Sequence, residues 1–533
     1  MNDEAQTYII GLDYGTESAR GVLLDASTGK QVDACVQIYP HGVMTKSLPD
    51  GMPLPRAWAL QNAADYTQCA EIILTRLGRG RVIESIGVGF TASSPMPSTS
   101  RGEPLSELYP SEPHAYVKLW KHAAAQSYAD QINRKGGAFL DNFGGKLSGE
   151  WLLAKAAQLA HEAPAIWSKT DKFIEAGDWL VWRLTDQESR SFSFAAYKAQ
   201  YSEERGYPTE IVPGLAERLA RPLPVGSAAG SLSPSWRALT GISGPAIVAV
   251  AVIDSHAALP AIGAVSPGCL VGALGTSAVS LLLSGELHPL PPGIEGVARD
   301  GSIRGLWCYE AGQAGFGDIL AWFVKAFPKG RDLAESFRHY NGEAARLSAG
   351  ASHLLALDWW NGNRVPFADS GLSGLLLGLT STTTAVDIYR ALIESLCFGM
   401  RTVHDLLAAG GLPMNRFILT SGMAESNPLL VQTIADVLGR DVEVPIISNP
   451  TAVGAAIHGA VAAQLIDGYP EGARRYGAHD VSLVRPDVEA TGVYDKLYSL
   501  YRDLGGGSLA VRQAMHRLGE IDVPKRVLRS DHL

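Results

Sequence analysis

The chain has 533 residues, 46% of them hydrophobic and 19% charged, with a formal net charge of −9. That length implies several domains with large cores and excludes a disordered chain, while the acidic balance gives no footing for nucleic acid or an anionic membrane, so any phosphate-binding charge must be local. Five widely spaced cysteines, Cys35, Cys69, Cys269, Cys308 and Cys397, without a C-x-x-C, argue against a disulfide framework or a zinc site and for a reducing compartment. The acidic start is no signal peptide, and the longest apolar run, Cys269 to Leu283, is short and broken by Gly272, Gly275, Thr276 and Ser277. A cytoplasmic protein with no membrane partner is expected.

In chain order, Tyr8 to Asp25 reads as a strand, a polar turn and a second strand. Gln31 to Tyr39 is a third strand, 42–55 a loop, Asp65 to Leu77 a helix and Ser85 to Phe90 a buried strand, an order that is α/β. Prolines 95, 97, 104 and 110 make 91–110 irregular. Tyr116 to Asn133 and Trp151 to His161 are expected to be helical. The Pro-, Gly- and Ser-rich stretch 222–245 places a boundary between halves, 1–245 and 246–533. The second half opens with a continuous strand from Ala246 to Ile253, ending at Asp254. Cys269 to Leu283 then repeats the opening pattern of strand, Gly-Thr turn and strand, as a duplicated domain would. Asp387 to Leu407 is the clearest helix, with Ile388, Leu392, Leu396, Met400, Val403 and Leu407 spaced by threes and fours. A strand from Arg416 to Ser421, a helix from Asn427 to Leu438, a strand at 442–444 and an Ala/Gly-rich helix from Ala452 to Ala463 follow; the last fifty or so residues are polar and uninformative.

The opening turn carries Asp13, Gly15, Thr16, Ser18 and Arg20. A Gly- and hydroxyl-rich turn can offer backbone N–H groups to an anion, the Asp can hold a hydrated Mg²⁺, and the Arg adds a fixed positive charge; an ordinary buried hairpin with a polar turn is the competing reading. Gly87-Val88-Gly89-Phe90-Thr91-Ala92, with Glu107 and Glu112 further on, mimics a dinucleotide fingerprint, but Ser93 to Pro97 cannot open the helix such a site needs. Gly145-Lys146 lacks the Ser or Thr of a P-loop.

Six stretches then carry a resemblance. G-L-D-Y-G-T-E-S-A-R (Gly11 to Arg20) and the segment Gly374 to Glu394 resemble the first phosphate loop and the C-terminal signature of the FGGY family of sugar kinases, within the actin-like ATPases. Glu112 to Gln126, Phe143 to Trp151, Ala195 to Ala199 and Gly305 to Gln313 narrow the likeness to one branch, over about Tyr8 to Ala463. The resemblance implies two actin-like (ribonuclease H-like) domains, each a five-stranded mixed sheet with helices, around a central cleft. The 1–245 domain would take the sugar and carry the first phosphate loop; the 246–533 domain would hold the nucleotide and the catalytic Asp. The implied reaction uses ATP and Mg²⁺ to phosphorylate the primary hydroxyl of a small-molecule ketopentose, L-ribulose first, with D-ribulose, ribitol, xylulose or glycerol as alternatives and a non-metabolic ATPase as the distant one. A homodimer rests on the resemblance alone.

Residue by residue, the resemblance makes Asp254 the general base; a strand-end Asp capping a helix is the alternative. Lys198, Glu310 and Ala92 match positions lining the sugar. Lys198 could otherwise be a solvated surface lysine, Glu310 a solvated carboxylate or an N-cap, and Ala92 would act through its backbone. Gln313 is a neighbour by proximity. Asp13 matches the Mg²⁺ position; Gly15, Thr16, Ser18 and Arg20, and Gly275, Thr276 and Ser277, match the two phosphate loops. Gly422 and Asn427 match the adenosine loop, which usually has a Gly pair; Ser421 and Met423 flank Gly422, so one Gly is missing. Lys118, Trp120, Lys121 and His122 mark a segment without a role, and a helix with exposed lysines would explain them.

Overall fold

The computed structural model describes residues 6–291 and 293–521. Two seven-stranded mixed sheets organise it. The first comprises β1 (Thr7–Tyr14), β2 (Ser18–Asp25), β3 (Gln31–Ile38), β4 (Val82–Phe90), β5 (Ala228–Ser231), β6 (Ile247–Ala249) and β7 (Val252–Ile253). Its order is β3-β2-β1-β4-β6-β5, with β7 beside β4. The second comprises β8 (Cys269–Leu274), β9 (Ala278–Ser284), β10 (Gly296–Arg299), β11 (Trp307–Gln313), β12 (Arg416–Thr420), β13 (Val442–Ile446) and β14 (Asp480–Val484), in the order β10-β11-β9-β8-β12-β13-β14. Each sheet thus has two strands beyond the expected five.

Both sheets repeat one arrangement. β1 is antiparallel to β2 and parallel to β4; β8 is antiparallel to β9 and parallel to β12. The central strands read as unbroken apolar runs because they are covered on both faces. On the first sheet one cover is α1 (Ala63–Gly78), so close that a Cβ on Gly21 would lie 2.3 Å from Ile73 Cγ2. The other is the helix Pro450–Ala462: a Cβ on Gly11 or Gly87 would lie 1.8 Å from the Ala452 carbonyl oxygen or 1.7 Å from that of Ala455. In the Gly87-x-Gly89 pattern Gly87 is therefore a packing device, where two backbones approach within reach of each other, while Gly89 faces the side chains of Thr451 and Ala257.

This packing bears on the expected division at 245/246. β6 and β7 lie past it and complete the first sheet, and the Pro450–Ala462 helix, late in the chain, covers that same sheet. By sheet membership the change comes between Ile253 and Cys269, so the chain segment ending in Asp254 belongs to the first sheet. The strand expected as continuous from Ala246 to Ile253 is broken, because Val250 turns its N–H to the Ser227 carbonyl at 3.0 Å.

Two other expectations differ. Tyr116 to Asn133 is helical only from Gln126; Val117 and Lys118 are extended and pair with Gln61 and Leu60, so tertiary pairing overrides the local helix preference of the Ala-rich stretch. Lys118 is fully buried, its Nζ 3.2 Å from His114 Nδ1 and 4.5 Å above the Trp58 ring, not an exposed helix lysine. The tail also contributes: Tyr494, Tyr498 and Tyr501 on the helix Val488–Arg502 are buried in the second core. The helix expected at Asp387–Leu407 runs Ala385–Ala409, started by a reciprocal cap between Thr384 and Asp387.

Candidate active site

Sheet register brings the two candidate carboxylates, Asp13 and Asp254, to one end of the first sheet. Tyr14 at the end of β1 pairs with Phe90 at the end of β4, and Phe90 pairs with Ile253 at the end of β7. Asp13 and Asp254 therefore flank the exit of β4, one on either side, where the carboxyl ends of parallel strands form a natural ligand crevice. Ala92, two residues past Phe90, lies between them in sequence register and is partly buried.

The first turn is braced from outside. Gly15 N–H donates to the Ser18 carbonyl at 3.0 Å, which closes the turn. The Gly15 carbonyl accepts from the Tyr39 hydroxyl at 3.0 Å, and the Thr16 carbonyl from Gln61 Nε2 at 2.7 Å. Trp120 Nε1–H donates to Thr16 Oγ1 at 3.1 Å. With these oxygens held, the loop cannot turn a carbonyl toward an anion, and among the described residues the Thr16 N–H has no protein acceptor. The bracing residues Tyr39, Gln61 and Trp120 were not legible as such in the sequence. Across β1–β2, Arg20 stands opposite Asp13, its guanidinium 3.8 Å away and half exposed.

The second turn is built alike. Gly275 N–H donates to the Ser277 carbonyl at 2.9 Å, and the carbonyls of Gly275 and Thr276 accept from Gly317 and Phe316 N–H at 3.0 and 2.9 Å. The backbone at Gly422 lies beside it: Ser421 Oγ–H donates to the Leu274 carbonyl, and Met423 Cε would crowd a Cβ on Gly317. Ser421 has φ +115°, a conformation that favours glycine, at the place where the expected Gly pair is incomplete. Gly422 is exposed and nothing would meet a Cβ there. Asn427 is not aimed at a ligand: it is buried, its Oδ1 caps the helix Pro428–Leu438 through Leu430 N–H at 3.2 Å, and its Nδ2 reaches Asn341 at 3.4 Å.

On the other side of Asp254, Lys198 Nζ donates to Glu310 Oε1 at 2.7 Å. Lys198 is buried and Glu310, with 13% of its side chain exposed, largely so; neither is the solvated surface residue of the competing reading, and the pair joins the helix Phe192–Lys198 to β11 of the second sheet. Burial alone would raise the Glu310 carboxyl, but Lys198 and His256 outweigh it and hold it well below the usual carboxylate range. His256 Nε2 is 3.3 Å from Glu310 Oε2, and its Nδ1 meets Ser302 Oγ. Burial lowers the His256 pKa, so the ring is neutral; Glu310 only accepts, which places the proton on Nε2 and makes Nδ1 the acceptor for Ser302. His256 and Ser302 were missed, though His256 stands two residues from Asp254.

Asp254 is partly buried and its Oδ1 accepts from its neighbour Ser255 N–H at 2.7 Å. Burial, and then the charge of Asp13, push its carboxyl up to about 7, with Ser255 and Lys198 opposing. Burial likewise pushes Asp13 up to about 6 against the pull of Arg20. Two carboxylates thus share a desolvated strand-end region whose nearest cations, Arg20 and Lys198, do not neutralise both. Among the described residues no cluster of three or more His, Cys, Asp or Glu could hold a metal ion. Gln313 faces elsewhere, its Nε2 donating to Asp358 at 2.9 Å and to the Leu396 carbonyl at 3.0 Å.

Beneath Ala92 runs a buried polar chain. Glu175 accepts from Ser93 Oγ–H at 2.9 Å and Ser94 N–H at 2.6 Å, and Lys155 Nζ donates to the Ser93 carbonyl at 2.8 Å. It fixes the backbone through which Ala92 would act. No helix of the described residues is long and apolar enough to cross a membrane.

Known proteins resemble this chain in sequence and in fold. Residues 270–463 match the C-terminal domain of the FGGY family of carbohydrate kinases. The chain is 39% identical to the ribulokinase of Halalkalibacterium halodurans, covering 93% of each protein, and 37% identical to that of Mycolicibacterium smegmatis, covering 94% of each. Its fold is similar to a xylulose kinase from Rhodospirillum rubrum, with a TM-score of 0.81 at 21% identity over 96% of this chain and all of that one. A glycerol kinase from Plasmodium falciparum solved with ADP gives 0.76 at 14% identity, over 93% of this chain and 97% of that one. With identity of this degree along 93% of its length, the chain belongs to the FGGY family of carbohydrate kinases, among its ribulokinases, and is an ATP-dependent sugar kinase of two-domain actin-like fold.

Proposed function

We propose that the enzyme transfers the γ-phosphoryl group of ATP to the primary hydroxyl of a ketopentose, turning L-ribulose into L-ribulose 5-phosphate. The relatives over nearly the full length are ribulokinases. The observation that carries the residue assignment is the buried Lys198–Glu310–His256 chain next to an Asp254 carboxyl raised to about 7. A base poised near neutral pH takes a hydroxyl proton without being locked in either state.

In this reading Asp254 removes the proton as the sugar oxygen attacks. The new O–P bond forms as the bond to the ADP oxygen breaks, and the proton remains on Asp254. Lys198 donates to sugar hydroxyls and Glu310 accepts from them, each retaining capacity beyond their mutual bond. Neutral His256, oriented by Ser302, keeps Glu310 ionised and in place. Ala92 contributes its backbone, held by the Glu175 chain. The turns at Gly15, Thr16 and Ser18 and at Gly275, Thr276 and Ser277 bind phosphates, with Arg20 adding charge. Gly422 lies on the adenosine side; Asn427 acts there by holding the helix start.

Mg²⁺ fits Asp13. That ion prefers one or two carboxylates with phosphate oxygens and waters, which agrees with a desolvated Asp13 at the first turn, with Asp254 across the exit of β4, and with the lack of an acidic cage among the described residues. When bound, it neutralises charge on the transferring phosphoryl group. A coupled assay of ADP release over L-ribulose, D-ribulose, ribitol, xylulose and glycerol tests the reading. The highest kcat/KM with L-ribulose supports it. Faster turnover of xylulose or glycerol than of both ribuloses would overturn the substrate, and release indifferent to every polyol would overturn the kinase mechanism.

A further inference from the structure

The segment 117–122 has no part in the proposed reaction, yet it lies between two parts that do. On one side it reaches the first turn. Trp120 Nε1–H donates to Thr16 Oγ1 at 3.1 Å, and Gln61, whose backbone pairs with Val117, donates from Nε2 to the Thr16 carbonyl at 2.7 Å. The hydroxyl and the carbonyl of one residue are thus held from the same short ribbon, which sets the direction of an N–H without a protein acceptor among the described residues. On the other side the helix Leu152–Glu162 grips the segment. Lys155 Nζ donates to the carbonyls of Lys118 and Leu119 at 3.2 and 2.9 Å, and Gln158 Oε1 lies 3.0 Å from His122 Nε2. The third bond of that ammonium leaves the segment for the Ser93 carbonyl at 2.8 Å, next to Ala92. Lys155 is fully buried, so its three donors are committed to backbone carbonyls, with Glu175 supplying the opposing charge. Stability alone does not call for a charge here, since apolar side chains fill such places as well or better. What the ammonium adds is a fixed geometry between two stretches of backbone.

We propose, resting on the roles given to Ala92 and to the first turn in the proposed phosphoryl transfer, that Lys155 and Trp120 are positioning residues. They link the sugar-facing backbone at Ala92 to the phosphate turn at Thr16, so that each substrate tightens the hold on the other. The link runs from Ala92 through the Ser93 carbonyl to Lys155, from Lys155 to the Leu119 carbonyl, and from the next residue, Trp120, to Thr16. A sugar bonded to the Ala92 backbone restrains the Ser93 peptide and with it the ammonium and the segment that the ammonium holds. The nucleotide then meets a turn that is already ordered, and by linkage the effect is reciprocal.

Titration calorimetry on the full-length protein tests the link, with Mg²⁺ and a non-hydrolysable imido analogue of ATP as the probe, with and without a saturating polyol. The polyol is the one of highest kcat/KM in the ADP-release panel, so a different sugar preference leaves the test intact. In the parent the analogue should bind about 5-fold or more tightly when the polyol is present. Trp120→Phe keeps an aromatic ring and removes the N–H, and that factor should fall close to one. Lys155→Met, of similar length without the charge, cuts the link at its other end and should have the same effect; if it does not fold, Trp120→Phe decides. Tyr39→Phe loosens the same turn at the Gly15 carbonyl, outside the link. It should weaken the analogue alike with and without polyol and leave the factor at the parent value, as a merely structural brace would. A parent factor of one, a parent-like factor in Trp120→Phe, or loss of the factor in Tyr39→Phe as complete as in Trp120→Phe overturns the proposal while the reaction stands. Turnover indifferent to every polyol overturns both.

Discussion

The hairpins β1–β2 and β8–β9 have similar turns, the first one residue longer, and carry different chemistry. Each closes by a glycine N–H bonding a carbonyl two or three residues on, at 3.0 Å for Gly15 and 2.9 Å for Gly275. Two residues before the glycine, the first has Asp13 facing Arg20 across the strands; the second has Ala273 facing Val279. The first turn is braced by side chains of Tyr39, Gln61 and Trp120, the second by the backbone of Phe316 and Gly317. The turn proposed to bind phosphate is thus a backbone shape that either setting can support. The carboxylate is confined to one copy, across the exit of β4 from Asp254; in the proposed reading a second one at the other turn would add repulsion toward the bound phosphates.

The comparison can be broken or sharpened by mutation. Asp254→Asn should have the largest effect, lowering kcat/KM for the sugar by about 10²–10⁴-fold, in steady-state kinetics. The same variant should be more heat-resistant than the parent at pH 8 and indistinguishable from it below about pH 4. The sign follows from an Asp whose folded pKa is raised, to about 7: its stabilising contribution is full below the unfolded value of 3.8 and is lost as pH rises through about 7. Asp13→Asn comes next, with kcat lower by about 10²–10³-fold, and Ala273→Asp in that background should not restore it, since the second turn lies away from the base. Its pH profile is the sharper readout. The acid limb of kcat/KM, near pH 7 in the parent, should move to lower pH, because the Asp13 charge is one of the causes that raise Asp254. Gly87→Ala, which would drive a methyl to 1.7 Å from the Ala455 carbonyl, should cost about 1–3 kcal/mol or more in denaturant unfolding. In the second sheet, Gly272→Ala on β8 meets flexible side chains of Leu419 and Met400 instead and should cost less. Ser421→Gly should have the smallest effect: relief of a strained φ of +115° offsets loss of the hydroxyl bond to Leu274, leaving stability within about 1 kcal/mol while KM for ATP rises a few-fold and KM for the sugar stays put.

Several mistaken or missing expectations have one origin. The stretch Tyr116–Asn133 has helix-forming composition, but Val117 and Lys118 form backbone pairs with residues nearly sixty positions earlier, which no local pattern encodes. Trp120, in that stretch, reaches Thr16 across 104 residues, and Lys198 reaches Glu310 across 112. The Gly87-x-Gly89 pair, legible as a nucleotide fingerprint, is explained by a helix more than 360 positions further on.

What the amino-acid sequence determined by itself was local. Apolar runs of strand length around a Gly-Thr turn, written twice, specified the two hairpins; spacing by threes and fours specified a helix over Asp387–Leu407, inside the observed Ala385–Ala409; and a strand-end aspartate marked the base candidate. These follow from the backbone periods of strand and helix, which act over a few residues. The tertiary structure decided the rest: that β6 and β7 complete the first sheet, that Asp13 and Asp254 flank the exit of β4, and that Lys198, Glu310, His256 and Ser302 form one buried chain. Those relations depend on strand register and on burial shared by distant segments, and both exist only once the sheets have packed.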